Sequence, residues 1–506
     1  MRSRASHTGK GSTAAAPSNL RYYGDVPGYY VENFGCRATQ ADGAALERQF
    51  EEQGLIRATS PKLASVVVLN TCTVTTGADQ DARAAIRRVR RQNPEARIVV
   101  TGCYAQRAPD EIAALPGVDM VVGNSHKHQL AMLALDSRTQ SDCSSAFVPL
   151  TALAFPSQRP TTDDQRPIFV SDIFAHTELL AAPVFDAANE RTRPNLKIQD
   201  GCDNRCSFCV IPYVRGQSRS LPMDRIIREV DTLVNAGYRE VVISGINLGR
   251  WGKDLEPTTD PVGTAALGCP GEQSSPASLV GLIRCILNET SLEKLRISSV
   301  EPMDWCDELI ELVATSPRIA KHAHVPMQSG SDAVLRRMHR KYRPWHYREK
   351  IEKIHAAMPQ AAIGADVMVG FPGETDAEFE ATRKMIEELP FTYLHVFTYS
   401  ARPGTPAAEM KNQVPVHIAR ERNRILRELA SEKKLAFMRS FIGKSLESIT
   451  LNVTGSDSGG EFTEALTDNY LKLRLGGRHQ PNRWRMAIVR KVEEGSLLGS
   501  TAQSYK

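Results

Sequence analysis

Four short apolar runs recur along the first part of the chain, and amphipathic stretches separate them. The runs cover residues 28–35, 65–71, 97–102 and 119–123. Each is short and largely apolar, which is typical of a strand buried on both faces of a sheet. Strands of this kind that alternate with helices predict βαβ units around a parallel sheet. We therefore expect a Rossmann-like α/β domain over residues 28–136.

A second alternating region covers residues 194–440. Amphipathic stretches such as residues 223–236 and 377–389 predict helices between its strands. The strand candidates lie at residues 196–198, 240–245, 294–299, 322–327, 363–369 and 393–399. Six βα units are too few for a closed eight-stranded barrel. The pattern thus predicts an α/β domain that is not a complete barrel.

The periodicity fades before and inside the second region. We interpret residues 1–27 as a disordered tail and residues 137–193 as a linker, with a strand or two near residues 146–152 and 168–174. Residues 254–278 are rich in Pro, Thr, Gly and Ser and are expected to form a surface insertion.

The last part of the chain changes character. Residues 413–441 predict a strongly basic helix, and short alternating runs with glycine turns follow over residues 441–506. Strands at this spacing predict a small all-β barrel. The segment resembles the TRAM domain, which implies a barrel that binds RNA.

Composition adds a few limits. The 506 residues are 41% hydrophobic and 24% charged, as in ordinary soluble globular proteins, and the length predicts about three domains. A net charge of +5 permits a nucleic-acid partner without requiring one. No apolar run is long enough for a membrane span. Ten cysteines are too sparse for a disulfide scaffold and predict metal ligands in a reducing, cytoplasmic setting.

Three of these cysteines lie close together. Cys202, Cys206 and Cys209 follow the spacing Cys-x3-Cys-x2-Cys. Iron–sulfur clusters normally take four Cys ligands, so a trio without a near fourth predicts a [4Fe-4S] cube with one iron open to a small molecule. The alternative is a zinc knuckle, but tetrahedral zinc needs a fourth Cys or His, and none follows within thirty residues.

With the aromatic Phe208 just before the last cysteine, this motif resembles the radical S-adenosylmethionine (SAM) superfamily. The resemblance implies that the open iron binds SAM and that an electron donor reduces the cluster, so that SAM is cleaved to a 5′-deoxyadenosyl radical. Cys202, Cys206 and Cys209 are then the catalytic residues. It also implies an open (βα)6 partial barrel. The cofactor carries the difficult chemistry, and the protein supplies position and electrostatics.

Cysteines also follow three strands of the first domain. Cys36, Cys72 and Cys103 each come at the end of an apolar run, and the carboxyl ends of parallel strands meet at one edge of a sheet. The alternative is three small core residues, since free Cys is often buried. Two cysteine trios on one chain resemble the methylthiotransferases. The resemblance implies that the first trio binds a second [4Fe-4S] cluster used in sulfur delivery, and that SAM is both methyl donor and radical source.

Residues at later strand ends are candidates for SAM contacts. The superfamily places a Gly-rich turn against the SAM amino group, which here corresponds to Gly245 and Asn247. Glycine admits close approach of the backbone, and asparagine offers both a donor and an acceptor. Tight packing at glycine turns is the alternative explanation. The complete set of predicted cofactor contacts is Phe208, Gly245, Asn247, Ser299, Gln328 and Gly370.

Short sequence motifs indicate which substrate branch of the methylthiotransferases the chain resembles. The isopentenyladenosine branch has Gln-Asn-Val-Asn in place of residues 244–247, and the ribosomal-protein branch has His in place of Ser329. Residues 245–249, 296–302 and 324–332 resemble the threonylcarbamoyladenosine (t6A) branch. This implies methylthiolation at C2 of t6A at position 37, in the anticodon loop of tRNA. Isopentenyladenosine, a ribosomal protein side chain, and a non-catalytic RNA-binding module with structural metal remain alternatives.

Basic clusters agree with an RNA partner. Lys and Arg are frequent at residues 336–350 and in the basic helix, and such clusters suit phosphate contact. Solvated helix faces are the alternative. Residues that offer stacking and hydrogen bonds to an unpaired loop are Asn469, Tyr470, Lys472 and Arg474.

The remaining conspicuous residues receive structural interpretations. His322 and His324 alternate along a strand, which favours packing over a metal site. Four cysteines outside the two trios are interpreted as incidental or structural: Cys143, Cys269, Cys285 and Cys306.

Overall fold

In the computed structural model the chain folds into three domains. The structure describes residues 27–136, 166–176, 179, 193–255, 277–457 and 460–501. Predictions for residues 1–26 and 146–152, for most of the insertion, and for Cys143 and Cys269 lie outside these residues. In the described part of the chain, no helix is both long and apolar enough to cross a bilayer.

The first domain is a six-stranded sheet with helices on both faces, and the predicted Rossmann-like fold is confirmed. The strand order is β2-β1-β3-β4-β5-β6, and every pair is parallel. Its elements are β1 (Gly28–Asn33), α1 (Arg37–Glu52), β2 (Ile56–Arg57), β3 (Val66–Thr71), α2 (Thr76–Gln92), β4 (Arg97–Gly102), α3 (Cys103–Arg107), α4 (Pro109–Ala113), β5 (Met120–Val122), α5 (Leu130–Leu135) and β6 (Ile168–Phe169).

Strand β6 comes from the segment interpreted as a linker. Ile168 pairs with Val121 and Phe169 with Val122, so this strand extends the sheet of the first domain. Arg166 adds a hydrogen bond from its Nη1 to the carbonyl oxygen of Ala113, 2.5 Å away. The segment between the two α/β domains thus contains a strand within the range 168–174 where the sequence indicated one, and this strand belongs to the sheet of the first domain.

Burial explains why the first sheet could be recognised. All six residues of β3 are buried, and so are five of the six in β4. One apolar core forms on each face of the sheet, around Leu69 and Ile98 on one face and around Val68 and Val99 on the other. A strand covered on both faces must be apolar at consecutive positions, which is the pattern that the sequence displays.

The second domain is an open partial barrel of six parallel strands, as predicted. Two sheets, β10-β9-β7-β8 and β11-β12-β13, are joined by parallel bridges from Leu295 to Ile319 and from Ser299 to His324. The six parallel strands exclude the short β8, which pairs antiparallel with β7 at the edge. The elements are β7 (Asn195–Asp200), α6 (Ile211–Arg215), β8 (Arg219–Ser220), α7 (Met223–Asn235), β9 (Glu240–Gly245), α8 (Leu279–Glu289), β10 (Lys294–Ile297), α9 (Asp307–Thr315), β11 (His322–His324), α10 (Asp332–Arg337), α11 (Pro344–Ala357), β12 (Ala362–Val369), α12 (Asp376–Glu388), β13 (Tyr393–Thr398), α13 (Pro406–Glu409) and α14 (Val416–Arg439).

The third domain is a closed five-stranded barrel. Its strands are β14 (Ser445–Asp457), β15 (Gly460–Thr467), β16 (Lys472–Gly476), β17 (Trp484–Glu493) and β18 (Ser496–Thr501), which close in the order β14-β15-β16-β18-β17. The predicted all-β barrel is confirmed. Strand β16 begins at Lys472, two residues after Tyr470, whose φ of +67° is a left-handed turn conformation.

The barrel packs under the second domain, where the parallel strands begin. Lys294 at the start of β10 donates from Nζ to Oε2 of Glu447, 2.7 Å away. Asn469 donates to the carbonyl oxygen of Gln360 at 3.0 Å, and Asn482 to that of Gly237 at 2.7 Å. These contacts place the turn that carries Tyr470 against the inside of the partial barrel.

Candidate functional site

The first cysteine trio follows the ends of three neighbouring strands. Strands β1, β3 and β4 end side by side, with Asn33 opposite Asn70 and Thr71 opposite Gly102. The cysteines come one to three residues later, at Cys36, Cys72 and Cys103. Cys72 is buried, and this burial, followed by the negative charges that Cys103 and Cys36 would carry, raises the pKa of its thiol to about 12. The fold therefore brings the three sulfurs to one edge of the sheet.

Glycines make room for this trio. Gly35 and Gly102 both have a φ of +100°. A Cβ on Gly35 would lie 2.9 Å from the Cys72 sulfur, and one on Gly102 would lie 2.2 Å from the carbonyl oxygen of Thr71. Side chains at either position would be strained and would collide with the strand ends.

The second trio lies in the loop between β7 and α6. Cys209 donates its backbone N–H to the carbonyl oxygen of Cys206 at 3.1 Å, and burial raises the pKa of its thiol to about 12. Two side chains point donors at the other sulfurs. Asn247 Nδ2 lies 3.7 Å from Cys202 Sγ, and Arg340 Nη1 lies 3.3 Å from Cys206 Sγ. Such donors favour thiolates over thiols.

A cavity of about 550 Å³ opens between the trios. The sulfurs of the second trio lie on one wall, and Cys36 of the first trio lies on another. Five predicted cofactor contacts also line it: Phe208, Gly245, Asn247, Ser299 and Gln328. Gln328 has a φ of +63°, and a non-glycine residue in this conformation is often found at a functional site.

Gly370 is not among the residues that line this cavity. Its φ is +74°, and a Cβ there would lie 2.6 Å from the Cβ of Ala419 on α14. Its N–H donates to Glu374 Oε2 at 2.7 Å. Backbone conformation and helix packing give this glycine a structural explanation, and its contact with the cofactor stays a prediction.

The inner end of the cavity is polar. Arg296 is 1% exposed and donates from Nε to Glu240 Oε1 at 2.6 Å. Tyr470 of the barrel lies over this guanidinium, with 5.4 Å between Arg296 Cζ and the ring centroid. The Tyr470 ring also contacts His322 at 4.8 Å, and His322 Nε2 lies 2.6 Å from Tyr393 Oη.

A second polar group lies along the same wall. Nitrogen and oxygen atoms of His324, Asp366 and His395 all lie within 4.8 Å of one another. His324 Nδ1 is also 2.9 Å from Ser299 Oγ. The packing interpretation of His322 and His324 is therefore incomplete, since both face the cavity.

Behind the first trio, five charged side chains are buried between the two α/β domains. Asp42 on α1 accepts from Lys127 Nζ at 3.1 Å, from Arg215 Nη2 at 2.9 Å, and from Lys197. Asp200 accepts from Lys197 Nζ at 2.8 Å and from Arg215 Nη1 at 2.9 Å. We call these five residues the interface ion cluster. Burial alone would raise the pKa of both carboxyl groups, but the cations, Arg215 foremost, hold each pKa well below its usual value.

Known proteins match both α/β domains. Residues 28–123 match the family described as Uncharacterized protein family UPF0004, and residues 196–386 match the radical SAM superfamily. The threonylcarbamoyladenosine tRNA methylthiotransferase MtaB of Bacillus subtilis is 36% identical over 446 residues, 88% of this chain and 89% of that protein. The enzyme of the same name from Aquifex aeolicus is 34% identical, over 88% of this chain and 96% of its own. The chain belongs to the radical SAM tRNA methylthiotransferase family.

Relatives with another substrate also match this methylthiotransferase. The tRNA-2-methylthio-N6-dimethylallyladenosine synthase of Novosphingobium aromaticivorans is 32% identical, over 83% of this chain and 85% of its own. Among solved structures, the radical SAM methyltransferase TsrM of Kitasatospora setae has a TM-score of 0.52 at 14% identity, covering 75% of this chain and 76% of that one. At this identity the likeness shows the fold alone.

The cofactors of this family are two [4Fe-4S] clusters and SAM. The sulfur positions fit clusters better than single zinc ions. Two thiolates on one tetrahedral zinc lie about 3.8 Å apart, given Zn–S bonds of about 2.3 Å. Within the described residues, neither trio of the methylthiotransferase has all three sulfurs within 4.8 Å of one another. A cube, which distributes its ligands over different irons, suits the wider spacing.

Sequence reasoning missed several cavity residues of the methylthiotransferase. Arg37 directly follows Cys36, and Arg296 is the third residue of a strand; both line the cavity. Arg296 lies in a strand-end motif that the sequence did indicate, and its inward direction follows because alternate residues of a barrel strand point inward. Arg37 lies on helix α1 and had no such signal, and the other unanticipated lining residues include Tyr393 and His395.

Half of the Lys and Arg residues taken as phosphate contacts have acidic partners. In α14, Arg424 pairs with Glu421 and Glu428, and the buried Arg422 bonds to Glu374. Over residues 336–350, five arginines form ion pairs with nearby carboxylates: Arg336, Arg337, Arg340, Arg343 and Arg348. The solvated-face and structural alternatives account for these positions, so the RNA contacts stay a prediction.

Proposed function

We propose that this methylthiotransferase inserts a methylthio group at C2 of t6A at position 37 of tRNA. The observation that carries the proposal is the single cavity that reaches Cys202, Cys206 and Cys209 on one wall and Cys36 on another. A nucleobase in this cavity would lie between the two cysteine trios. An aromatic C–H bond is too weakly acidic for the His or Asp side chains there, so a radical step suits the chemistry.

The six cysteines are the proposed cluster ligands. Cys36, Cys72 and Cys103 would hold one cube, and Cys202, Cys206 and Cys209 would hold the other. When bound, the second cube and SAM supply the radical, and the first cube supplies sulfur. Asn247 and Arg340 orient and stabilise the sulfurs of the second trio through their N–H groups. Phe208, Gly245, Ser299 and Gln328 are proposed to contact SAM.

The choice of t6A over isopentenyladenosine draws on two observations. Relatives that carry the t6A name match at 32–36% identity, and those that carry the dimethylallyladenosine name match at 32%. In addition, the inner cavity wall carries Arg296, His322 and Tyr393. His322 and Tyr393 bond to each other, but Nη1 and Nη2 of Arg296 and Nδ1 of His322 have no partner among the described residues. A hydrocarbon substituent would leave these atoms without partners, which is costly, whereas the threonylcarbamoyl group can hydrogen-bond to them.

Mass spectrometry of tRNA nucleosides tests the proposal. A strain that lacks the gene should lose the 2-methylthio derivative of t6A and accumulate t6A, and the intact gene should restore it. A gene with Cys209→Ser should fail to restore it. Cys306→Ser is the matched control, because Cys306 is exposed and does not line the cavity. Unchanged t6A derivatives, with loss of methylthio from isopentenyladenosine or from a ribosomal protein, would contradict the proposal.

Anaerobic reconstitution separates catalysis from a non-catalytic RNA-binding role. About eight irons per chain are expected from two cubes, together with reductive SAM cleavage. Cys72→Ser should hold about four irons and still cleave SAM, whereas Cys209→Ser should hold about four and cleave none. Bound zinc, or iron without SAM cleavage in the unaltered protein, would favour the non-catalytic role.

A further inference from the structure

Arg296 presents unused hydrogen-bond donors inside the cavity. Its Nε is bonded to Glu240, but Nη1 and Nη2 have no partner among the described residues although the side chain is 1% exposed. Buried donors without partners are costly, commonly about 1–3 kcal/mol and more for charged groups. A guanidinium held in this state is arranged to bind an acceptor that comes from outside the chain.

Arg37 is a second cation without a partner. It is the first residue of α1, it lines the same cavity, and its side chain has no hydrogen bond or ion pair among the described residues. Its backbone is fixed, because its carbonyl oxygen accepts from Asn195 Nδ2 at 3.3 Å. The residue is thus anchored to β7 while its guanidinium stays available.

The two guanidinium groups act on the same inner wall. Both groups affect His322. Burial is the main reason that the pKa of His322 lies well below its usual value, and the positive charges of Arg296 and Arg37 lower it further. Both charges also oppose the effect of burial on the pKa of Tyr393. Both cations therefore lie near His322 and Tyr393 on the cavity wall, one contributed by the first domain and one by β10.

We propose that Arg37 and Arg296 together bind the carboxylate on the N6 substituent of the substrate and so select t6A. A carboxylate accepts several charge-assisted hydrogen bonds, and guanidinium groups match its planar geometry. This inference rests on the proposed function, because t6A carries a carboxylate and isopentenyladenosine carries none. Tyr470, stacked on Arg296, holds one of the two guanidinium groups in place.

The carboxylate of SAM is the other possible anion, and position argues against it. Ser299 and Asn247 lie where β10 and β9 end, on the side of Cys202. Arg296 lies three residues before Ser299, about 10 Å deeper at 3.3 Å per residue. It contacts Tyr470 and Glu240 there, and neither of the two trios.

The test compares two synthetic anticodon stem-loops, one with t6A and one with its methyl ester, which removes the negative charge and adds one methyl group. The unaltered enzyme should prefer the carboxylate in kcat/KM by about 10- to 100-fold, the usual range for a hydrogen bond to a charged group. Arg37→Gln should reduce this preference to a few-fold. Arg296→Lys should do the same, because it keeps a cation beside Glu240 but removes the two Nη donors.

The controls separate the possible sources of failure. Arg48→Gln lies on the same helix, 3.9 Å from Glu229, outside the cavity, and should keep the preference for the carboxylate. If the unaltered enzyme methylthiolates neither stem-loop, the proposed function itself is wrong. If it methylthiolates both equally, or if the variants keep the preference, only this inference is wrong. If both arginine variants bind SAM more weakly by the same factor, Arg37 and Arg296 bind the carboxylate of SAM, and the proposed contact with the substrate carboxylate is wrong.

Discussion

Two groups of charged residues lie near the cysteine trios, and they differ in how their charges are matched. In the interface ion cluster every charged group has an opposite charge within 3.1 Å. Lys127 and Arg215, for example, both pair with Asp42. In the cavity, Arg37 has no such partner among the described residues, and Arg296 leaves two donors unused. Both groups are held by the same two domains.

The difference separates a structural role from a binding role. Charges that satisfy one another hold parts of a protein in register, and removal of one partner is strongly destabilising. Donors without partners do not stabilise the folded chain, and a buried one costs free energy, but they are available to a ligand. The interface ion cluster thus fixes the trio of the first domain relative to the cavity, while the cavity arginines await a substrate.

The largest effect should come from Asp42→Ala. This change leaves Lys127, Lys197 and Arg215 buried with one carboxylate between them, and breaking a buried ion pair costs about 3–5 kcal/mol. Denaturant unfolding of the reconstituted enzyme measures the loss. Asp224→Ala is the matched control, because Asp224 pairs with Arg228 on an exposed helix face. A loss below about 1 kcal/mol for Asp42→Ala would show that the cluster contributes no more to the free energy of unfolding than an ordinary surface ion pair.

Acid should weaken the same cluster next. The folded-state pKa values of Asp42 and Asp200 are lowered relative to the unfolded chain, where Asp titrates near about 3.9. Their stabilisation is therefore complete above about pH 5, declines as carboxyl groups of the unfolded chain bind protons, and is fully lost only below the folded-state values. Unfolding free energies from pH 7 to pH 3 should show the first part of this loss, and Asp42→Asn should show less of it. An equal acid loss in the variant would assign the effect to other carboxyl groups.

The two cysteine trios were predictable from the sequence, whereas no sequence pattern indicated the interface ion cluster. Cys202, Cys206 and Cys209 are neighbours in the chain, so their spacing alone indicated the chemistry. Cys36, Cys72 and Cys103 required the rule that parallel strands end at one edge. Asp42 and Lys197 lie 155 positions apart, and no local pattern links them.

The fold was predictable to a similar depth. Strands β3 and β9 are buried nearly throughout and were found from apolar runs, whereas β8 has two residues and left no periodic signal. Contacts between domains depend on tertiary structure in the same way. Tyr470 was singled out as an RNA contact, but the structure places its ring against Arg296 and His322.

A smaller effect is expected at Tyr470. Tyr470→Ala removes the ring over the Arg296 guanidinium, and such cation–π contacts are worth about 0.5–2 kcal/mol. The kcat/KM for the t6A stem-loop should fall several-fold, mainly through KM, since the guanidinium is less well held. Tyr470→Phe keeps the aromatic face and should stay within twofold of the unaltered enzyme. A similar loss in both variants would show that the hydroxyl acts, for instance on RNA, and that the stacking does not.

The smallest effect on stability should come from Arg37→Gln. The side chain has no partner to lose within the described chain, and substitutions away from packed or paired groups usually change the free energy of unfolding by about 0.5 kcal/mol or less. Denaturant unfolding under the conditions used for Asp42→Ala should show this small change in the same protein that loses its preference for the carboxylate stem-loop. Removing a cation from a cationic wall relieves repulsion with Arg296, so a slight gain is also consistent. A loss of 2 kcal/mol or more would mean that Arg37 holds the two domains together. Arg37 would then have a structural role, and the distinction between paired structural charges and unpaired binding charges would be wrong for this residue.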